Sequence, residues 1–541
     1  MAAIDSGGER PLFVRKATGL VRGWSMFDAG IYAFYSCNVI VGLWVLSFGP
    51  FIPNGSLFWA AIIAAAFLVF EVVCYAGLIA AMPRAGGDYV WQSRILHSSI
   101  GFVLAVTGWW FILWHWVPIY ANITTISVFQ PLAKIVGADG LAGWLVGKDG
   151  IFAVSLLVIG VTWAYISLGM RGYARVQRWS FWGGLVGVVT VVLLMLIRSR
   201  DSFQGAFDRE ATDLYGAAPG AYDATLANSG YDAPGPLHFD GKAVFLMIGF
   251  ITFFMLYPNW GATLAGEVRG ASDMKRNIKA MGGALLGVLV FTLIMIGVIA
   301  KSFGWDFYNA VNNGYWGDIY AYNPEPSPLG AYPYPFMMGS WLVDSPIVQF
   351  ILITLIGLWV IGWFGTVFLS STRVIFAAAF DRILPEWAAH ISPKLRVPTA
   401  ALLLMVVPAV PIAALYAYWS SFAQYTYDAA LVIAVTYLGT AFAAMIMPWR
   451  MKRVYQASPM AQWKLGPVPV ISIAGFVTFG FLAFLLAIWL KDDIYGVNNK
   501  NSLIYMGILY GIAIGIYVIA RVVRSRQGMS LDQVTKEIPA E

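Results

Sequence analysis

The sequence predicts an all-α integral membrane protein with twelve transmembrane helices. Of the 541 residues, 59% are hydrophobic and only 11% are charged, whereas about 25% are charged in a typical soluble domain. A helix needs about 20 apolar residues to cross the hydrocarbon core of a bilayer, and the chain contains twelve apolar runs that approach or exceed this length. The composition excludes a disordered chain or a coiled coil, and it nearly excludes a soluble enzyme, because too few polar residues remain to cover the surface.

The predicted spans are apolar runs bounded by charged residues or by Gly and Pro. The third can extend beyond its apolar run, and the fourth and fifth are short. Numbered 1 to 12 in chain order, they cover residues 26–50, 57–82, 100–128, 151–169, 179–197, 243–266, 278–300, 346–371, 398–417, 427–447, 468–489 and 503–520.

The basic residues between the spans predict the orientation in the membrane. With the N-terminus in the cytoplasm, the cytoplasmic segments hold 25 of the 34 Lys and Arg residues, and the outer segments hold nine. Because basic residues are retained on the cytoplasmic side, we expect both termini to be cytoplasmic, in a multi-pass protein of the plasma (inner) membrane that contacts membrane lipid. This distribution also accounts for the net charge of +6 without nucleic acid as a partner.

Two of the predicted outer loops are long. Residues 199–242 are rich in Gly, Ala, Asp and Tyr, and residues 301–345 are dense in aromatic residues and Pro. Two interpretations carry equal weight: the loops fold as a cap on the outer face, or they form a lid over the path that a solute takes into the protein.

Motifs for catalysis, zinc binding or disulfide bonding do not occur in the sequence. The two cysteines, Cys37 and Cys74, lie inside apolar runs and have neither zinc-site nor disulfide-framework spacing. There is no HExxH or GxSxG motif and no pair of intramembrane aspartates. We therefore expect no enzyme activity, no cofactor, and no metal other than a candidate sodium ion.

Spans 1 and 6 each contain residues that interrupt a helix. Span 1 has Asn38 and Gly42 midway along it, and span 6 has Pro258 followed by Asn259 and Gly261. Pro removes a backbone donor and Gly lowers helix stability, and unpaired backbone groups within a bilayer must line a cavity. The breaks lie at matching depth in spans that run in opposite directions. Although a plain kink would explain either break alone, the pair predicts a transporter with inverted repeats and a substrate site at the membrane midplane.

Three segments, in the expected order, resemble the amino acid–polyamine–organocation (APC) superfamily of permeases. They are AAMPRAGGDYVWQSR at residues 80–94, FFMLYPNWGATLAGEVRGASDMKRNIKA at 253–280 and SSTRVIFAAAFDRILPEWAAHISPKLRVP at 370–398. The first is similar to the family's loop between helices 2 and 3, the second to helix 6 and its charged exit, and the third to the exit of helix 8. Together with the twelve spans, the similarity covers nearly the whole chain.

The resemblance implies a five-plus-five inverted repeat followed by two extra helices, with helices 1 and 6 unwound at the substrate. The family usually carries amino acids, polyamines or related organic cations, by ion symport or exchange. The implied organisation is a cytoplasmic tail (1–25), a first repeat (26–198), an outer loop (199–242), a second repeat (243–447) that includes the outer loop 301–345, helices 11 and 12 (468–520) and a cytoplasmic tail (521–541).

The sequence departs from the family pattern near the expected site. The glycine-rich break of helix 1 is Val41-Gly42-Leu43 in this chain, so fewer open backbone N–H groups are available to a substrate carboxylate. The aromatic and acidic positions after the break of helix 6 are Pro258 and Asn259. Spans 5 and 6 contain no membrane-embedded lysine that could act as a proton switch. These differences affect the choice of substrate and leave the predicted fold unchanged.

The residues around the two breaks could hold an amino acid or a related amine, which is the small-molecule partner we expect. The half-helix from Gly42 to Leu46 offers its N-terminus to a carboxylate, and unwound backbone at 38–40 and 254–257 offers carbonyl oxygens to an ammonium. Aromatic side chains, including Phe253, either wall the substrate or serve only in packing. The candidate substrate-binding residues are Asn38, Val41, Gly42, Leu43, Phe254, Tyr257, Pro258, Asn259, Trp260 and Gly261. Because no Lys or Arg lies at mid-membrane, dicarboxylates are disfavoured.

Two sets of residues are candidates for coupling transport to an ion. Thr366, Ser370 and Ser371 in span 8 offer oxygens to sodium, although such hydroxyls more often bond back to their own helix. Glu71 in span 2 and His115 in span 3 lie roughly 16 Å and 22 Å from the cytoplasmic ends of their spans, which is within about one helical turn in depth. Burial favours the neutral form of both, so Glu71 would be the main carrier of a coupling proton. The alternative is a structural hydrogen bond between the two, or separate polar groups satisfied elsewhere.

The predicted function is secondary active transport by alternating access, coupled to a proton or to sodium. The alternative is an inorganic-cation transporter of the same superfamily that moves potassium, with oxygens from Asp28, Tyr32, Tyr35 and Glu71. A channel is disfavoured, because the sequence has neither a selectivity ring nor the signs of a symmetric pore.

Overall fold

The computed structural model describes residues 20, 22–37, 39–229, 234–320, 327–394, 396–423 and 425–538. Within these ranges, twelve helical segments are long and apolar enough to cross a membrane, which confirms the predicted all-α class and its twelve spans. The sheet content of the described ranges is one small hairpin between spans 10 and 11, in which strand Lys464–Leu465 pairs antiparallel with Val468–Pro469.

Eight spans are continuous helices and four are interrupted. The continuous ones are Leu57–Ala81 (span 2), Lys148–Ile166 (span 4), Gly169–Ile197 (span 5), Pro346–Phe380 (span 8), Thr399–Tyr418 (span 9), Thr426–Arg450 (span 10), Val470–Lys491 (span 11) and Lys500–Arg526 (span 12). The interrupted ones are Met26–Ser36 with Val39–Leu46 (span 1), Ser98–Val106 with Leu113–Thr124 and Gln130–Ile135 (span 3), Gly241–Met255 with the 3-10 turns Pro258–Thr263 and Ala265–Glu267 (span 6), and Met274–Ile299 with Trp305–Tyr320 (span 7).

Shorter elements connect the spans or join their segments. π-helical turns at Thr107–Phe111, Thr125–Phe129 and Ala300–Gly304 join the segments of spans 3 and 7. The connecting elements are the 3-10 turns Gly49–Phe51, Glu386–Ala389, Pro459–Gln462 and Asp493–Tyr495, and the helices Asp88–Ile95, Asp139–Val146, Arg200–Tyr215, Ala221–Asn228, Pro335–Ser340, Ser420–Ala423, Lys452–Ala457 and Leu531–Val534.

The predicted loop at residues 170–178 is wrong, because span 5 is already helical from Gly169. The first turns of this helix carry charged residues, so they are not part of an apolar run. Arg178 binds Asp28 at the start of span 1, with its Nε 2.6 Å from Oδ1 and its Nη2 2.8 Å from Oδ2. Gln177 donates to the Asp28 carbonyl at 2.9 Å. These contacts hold the polar start of span 5 against span 1.

The interrupted spans 1 and 6 lie at the centre of the bundle. In the apolar windows of these spans, 76% of span 1 and 78% of span 6 are buried, as is 78% of span 3 beside them, compared with 28% of span 12. Large apolar side chains such as Trp179 and Ile347 are exposed on the outside of the bundle. The irregular backbone is therefore surrounded by protein, as a bilayer requires.

Two buried ion pairs close one end of the bundle, which we call the inner end. The guanidinium of Arg373 in span 8 binds the Glu267 carboxylate after span 6 through two bonds, of 2.6 and 3.0 Å, and both side chains are fully buried. Arg94, which follows span 2, binds Asp381 after span 8 at 2.6 Å. Asp381 also accepts a bond from the Tyr89 hydroxyl at 2.7 Å. These bonds tie the ends of spans 6 and 8 to the connection between spans 2 and 3.

Aromatic side chains cover the opposite end, which we call the outer end. Trp316, from the second helix of span 7, packs against Trp44, Phe48 and Phe51, with ring centroids 5.3 to 5.9 Å apart. Its Nε1 donates to the Ser47 carbonyl at 3.1 Å. The second helix of span 7, which belongs to residues 301–345, is therefore seated through Trp316 on the outer half of span 1.

The buried pair of Arg373 and Glu267 should be much more important for stability than an exposed pair. We expect Arg373→Met to lower the free energy of unfolding by about 3–5 kcal/mol, because it leaves the Glu267 charge buried and unpaired. The double variant Arg373→Met with Glu267→Leu should regain most of this loss. The measurement is the thermal unfolding midpoint in detergent.

The matched control is Arg276→Met, because the side chains of Arg276 and its partner Asp273 are 63% and 45% exposed. Exposed pairs contribute about 0–1 kcal/mol, so this variant should melt close to the wild type. Equal losses in the buried and exposed variants would contradict the structural role of Arg373.

Candidate substrate site at the interrupted spans

The interruption of span 1 lies earlier than the sequence predicts. The first helix ends at Ser36 and the second begins at Val39, so Gly42 lies inside the second helix. The prediction of a break at Gly42 is therefore wrong, and Asn38 lies outside the described residues. A single Gly costs a helix only about 1 kcal/mol, and the flanking side chains of Val41 and Leu43 are buried on both sides of it.

The interruption of span 6 is where the sequence predicts it. The helix ends at Met255, and Pro258 begins a 3-10 turn. A Pro lacks the backbone donor that an α-helix needs and disfavours the helical conformation of the residue before it. Tyr257 accordingly has φ −117° and ψ 22°, outside the α-helical range. The chain continues past Gly261 in 3-10 turns, so span 6 has no second α-helix whose N-terminus could face a substrate.

The two interruptions face each other. A Cβ atom placed on Gly42 would lie 2.9 Å from the ring of Phe254, so the helix Val39–Leu46 approaches span 6 closely only because this residue has no side chain. The thiol of Cys37 lies against the backbone N–H of Tyr257. Gly42 therefore acts by allowing close packing between the two spans, whereas the sequence suggested that it would expose backbone N–H groups.

Five buried side chains around the interruption of span 6 have polar atoms without a hydrogen-bond partner among the described residues. They are Glu71 from span 2, Tyr257, Asn259 and Trp260 from span 6, and Tyr437 from span 10, and we call them the central polar cluster. The Tyr437 hydroxyl lies beside the Asn259 side chain, without the geometry of a hydrogen bond. Each unsatisfied group costs about 1–3 kcal/mol, and most buried polar groups in folded proteins have a hydrogen-bond partner.

Aromatic rings from three spans lie at this cluster, and three of them belong to its own members. They belong to Trp109 and Trp116 of span 3, Tyr257 and Trp260 of span 6, and Tyr437 of span 10, and we call them the aromatic box. Neighbouring centroids are 5.3 Å apart for Trp109 and Trp260, 5.6 Å for Trp116 and Tyr257, and 5.9 Å for Trp109 and Tyr437. All five residues are fully buried. Such a set of ring faces can hold a cation or an apolar side chain.

Sequence reasoning identified Tyr257 and Trp260 but missed the other members of the box. In span 3, the sequence indicated only His115 as a candidate, although Trp109 and Trp116 lie in the same segment. Aromatic residues make up 16% of the whole chain, so their presence in span 3 did not distinguish site residues from packing residues. Trp109 lies in the π-helical turn Thr107–Phe111, and turns of this kind are frequent at functional sites.

A second carboxylate lies on the inner side of the cluster. Asp88 is fully buried at the start of the helix Asp88–Ile95. It accepts hydrogen bonds from the Tyr75 hydroxyl at 2.6 Å, from the Trp109 Nε1 at 3.1 Å and from the Thr440 hydroxyl. Burial raises the pKa of Asp88 to about 6, against the lowering effect of these donors. Asp88 is also close enough to Glu71 for their charges to interact.

The predicted pair of Glu71 and His115 is wrong. The His115 ring stacks on Phe422 at 4.6 Å between centroids and contacts Tyr505, away from the central polar cluster. Neither ring nitrogen of His115 and neither carboxylate oxygen of Glu71 has a hydrogen-bond partner among the described residues. Equal depth did not bring them together, because the depth of a residue does not fix the direction in which its face of the helix points.

The hydroxyls proposed for sodium are engaged in hydrogen bonds. Thr366 donates to the Trp363 carbonyl at 2.8 Å and Ser371 to the Val367 carbonyl at 2.7 Å, within their own helix. Ser370 lies 2.6 Å from the Tyr32 hydroxyl, which donates to the Thr366 carbonyl at 2.8 Å. The alternative interpretation of these residues, bonding back to their own helix, therefore describes Thr366 and Ser371, while Ser370 joins span 8 to span 1.

The oxygens proposed for potassium do not form one site. Asp28 is bound by Arg178, as described above, and the Tyr35 hydroxyl pairs with Ser180 at 2.8 Å. The Tyr32 hydroxyl is hydrogen-bonded to span 8, and Glu71 belongs to the central polar cluster instead. In the described residues, no group of three or more His, Cys, Asp or Glu side chains could hold a metal ion.

The sequence of the chain is also similar to a known protein family. The sequence matches the amino acid permease family of the APC superfamily over residues 25–514. Because this match covers most of the chain, from span 1 into span 12, the chain belongs to that family, and the resemblance seen in the three segments is confirmed. Membership supports a transporter of the APC type and implies a small-molecule substrate, and it points to a transporter rather than an enzyme.

Individual curated transporters are also similar to this chain in sequence. Uncharacterized transporters of Mycobacterium bovis and of two strains of Mycobacterium tuberculosis are each 25% identical to this chain over 393 residues. The matched region covers 70% of this chain and 68% of each relative. Their description supports transport and does not name a substrate.

The pKa of Asp88 predicts how stability depends on pH. The native carboxyl binds its proton more tightly than an unfolded one, since its pKa is about 6 instead of 3.8. Protonation therefore stabilises the native state, and this contribution is lost as the pH rises through 6. Between pH 7 and pH 5 the wild type should gain about 1 kcal/mol that Asp88→Asn does not gain.

The measurement is the unfolding midpoint in detergent at several pH values. Asp139→Asn serves as the control, because the Asp139 side chain is 70% exposed, and it should follow the pH profile of the wild type. If Asp88→Asn also followed that profile, Asp88 would not be the group that titrates.

Proposed function

We propose that the protein is a secondary active transporter that carries amino acids or related amines by alternating access. The observation that carries this proposal is the meeting of two interrupted spans at a cluster of buried, unpartnered polar groups. Ion pairs close this cluster at the inner end, and aromatic packing closes it at the outer end. A closed site between two barriers is the arrangement that alternating access requires.

The groups around the cluster fit an ammonium better than an anion. The helix Gly241–Met255 ends at the interruption of span 6, where the central polar cluster lies. The carbonyl groups at a helix C-terminus favour positive charge. The aromatic box supplies ring faces for a cation or an apolar side chain. The nearby cation at the inner end, Arg373, is already neutralised by Glu267. In this proposal, the helix Val39–Leu46 presents its N-terminus to the carboxylate of an amino acid.

A proton is favoured over sodium as the coupling ion. Glu71 has no hydrogen-bond partner among the described residues, so its carboxyl is available to take up and release a proton. The hydroxyls of Thr366, Ser370 and Ser371 are all engaged in hydrogen bonds, as described above. Sodium binding would have to break some of these bonds first.

The plasma (inner) membrane is the expected location, with both termini in the cytoplasm. The excess of Lys and Arg in the predicted cytoplasmic segments supports this orientation. The exposed apolar side chains on the outside of the bundle are suited to contact with membrane lipid. The inner end defined above then faces the cytoplasm.

The proposal can be tested by uptake into proteoliposomes. Purified protein is given either a pool of labelled amino acids and amines or labelled potassium, with imposed gradients of protons and of sodium. We expect gradient-driven uptake of organic solutes. Uptake of potassium alone would instead establish the inorganic-cation function.

Substitution of Gly42 should abolish transport without loss of expression. A leucine at this position would clash with the Phe254 ring, since even a Cβ atom would lie only 2.9 Å from it. We expect uptake of the labelled pool to fall at least tenfold, which corresponds to about 1.4 kcal/mol in the transport barrier.

The control for this substitution is Gly297→Leu, also within a spanning helix. No described atom outside its own helix lies within 4 Å of a Cβ atom there, so transport should be retained. Normal uptake by Gly42→Leu would remove the packing of span 1 on span 6 from the mechanism.

The orientation predicts which introduced cysteines react with an impermeant thiol reagent added to intact cells. Ala224 lies on an exposed helix in the outer loop, and Lys464 lies on the exposed hairpin between spans 10 and 11. The native cysteines, Cys37 and Cys74, are buried and should give little background. We expect Ala224→Cys to be labelled in cells and Lys464→Cys only after lysis. The reverse pattern would overturn the assigned orientation.

A further inference from the structure

Glu71 differs from most other buried acidic residues of the described chain. Asp28, Glu267 and Asp381 each bind an arginine, and Asp88 accepts bonds from three donors. One other buried acid, Asp428, also lacks a hydrogen-bond partner among the described residues, but its neighbours are Ser502 and Tyr505, on span 12. Glu71 is the buried carboxyl that lies at the interruptions of spans 1 and 6.

The neighbours of Glu71 determine which charge it can carry. The ionisable groups that face it are Cys37, Cys74, Tyr75, Asp88, Tyr257 and Tyr437, from spans 1, 2, 6 and 10 and from the helix Asp88–Ile95. None of these is a cation, and an ionised Asp88 opposes a second negative charge. A buried carboxylate without a partner is very costly, so the neutral, protonated acid is the stable form in this closed state.

An organic ammonium ion can take the place of that proton. It neutralises the carboxylate directly, and the rings of the aromatic box add cation–π attraction. The side-chain oxygen of Asn259 and the hydroxyls of Tyr257 and Tyr437, which have no partner here, can accept the remaining ammonium protons. The same set of groups offers nothing to neutralise an additional negative charge.

We propose that Glu71 binds either a proton or the ammonium group of a cationic substrate, so that the protein exchanges organic cations for protons. This inference rests on the proposed transport function. In the exchange step, the O–H bond of the Glu71 carboxyl breaks, the proton leaves to water, and the resulting carboxylate pairs with the substrate ammonium. Return of a proton from the other side releases the substrate. One positive charge replaces another, so the site stays neutral.

The direction of the driving gradient tests this inference, with labelled lysine as the probe because it carries a net positive charge. In proteoliposomes with an interior at pH 6 and a medium at pH 8, one-for-one exchange allows up to about a hundredfold accumulation, since each pH unit is worth a factor of ten. Lysine should accumulate under this gradient, and a pH indicator in the lumen should report proton loss. An acidic exterior should not drive accumulation.

Variants test whether the exchange depends on Glu71 specifically or is lost whenever a buried acid is removed. Glu71→Gln should reduce the gradient-driven accumulation of lysine at least tenfold, while Glu71→Asp should retain part of it. Asp428→Asn is the matched control, because it removes another buried acid without a partner, and it should retain accumulation. Full exchange by Glu71→Gln would overturn the inference.

A second measurement uses only the wild-type protein in weakly buffered detergent solution. Addition of lysine near pH 7 should release about one proton for each lysine bound, and leucine should release fewer. Binding of lysine without proton release would overturn the inference even if Glu71→Gln fails to fold.

The outcomes distinguish this inference from the proposed function. If neither lysine nor any member of the labelled pool is transported under any gradient, the proposed function fails. If lysine is transported but accumulates only with an acidic exterior, the protein is a symporter, and exchange at Glu71 is wrong while the transport function stands.

Discussion

The requirement that every backbone polar group within a bilayer be satisfied governs the rest of this structure. Spans 1 and 6 both leave the α-helical path, between Ser36 and Val39 and after Met255. Such backbone cannot face lipid, so these two spans lie at the centre and other spans surround them. The long continuous helices with exposed apolar faces, such as span 12, lie at the rim. The position of the candidate site follows from the same requirement, because the irregular backbone and the central polar cluster occupy the same protected interior.

The two ends of the bundle are closed by different kinds of interaction. At the inner end, Arg373 with Glu267 and Arg94 with Asp381 form hydrogen-bonded ion pairs away from solvent. Water could hydrate these charges if the pairs separated, and hydration would offset part of the lost attraction. At the outer end, Trp316 packs against aromatic residues of span 1, and separation would expose apolar surface to water. Separation of the inner end is therefore opposed mainly by electrostatic attraction, and separation of the outer end by the hydrophobic effect.

On its own, the central polar cluster lowers the stability of the folded protein. Buried carboxyl, amide, indole and hydroxyl groups remain without partners among the described residues, and each costs about as much as a lost hydrogen bond. A substrate that supplied the missing partners would gain this free energy on binding. Preorganised groups of this kind favour a ligand of matching charge over one that leaves them unpaired. The same reasoning explains why the hydroxyls of Thr366 and Ser371, already bonded within span 8, make weaker candidates.

The sequence by itself determined the class of protein, the number of spans, the family and the break at Pro258. Each of these depends on local composition or on a residue whose covalent structure forbids a helical hydrogen bond. The tertiary structure decided the rest. A lone Gly42 does not break a helix that packs on both sides, and the His115 ring contacts Phe422 and Tyr505 instead of Glu71. Trp109, Trp116 and Tyr437 joined the site through spans that are distant in sequence. Which side chains meet depends on the rotation of each helix and on contacts across the bundle, and neither quantity can be obtained from the apolar pattern along the chain.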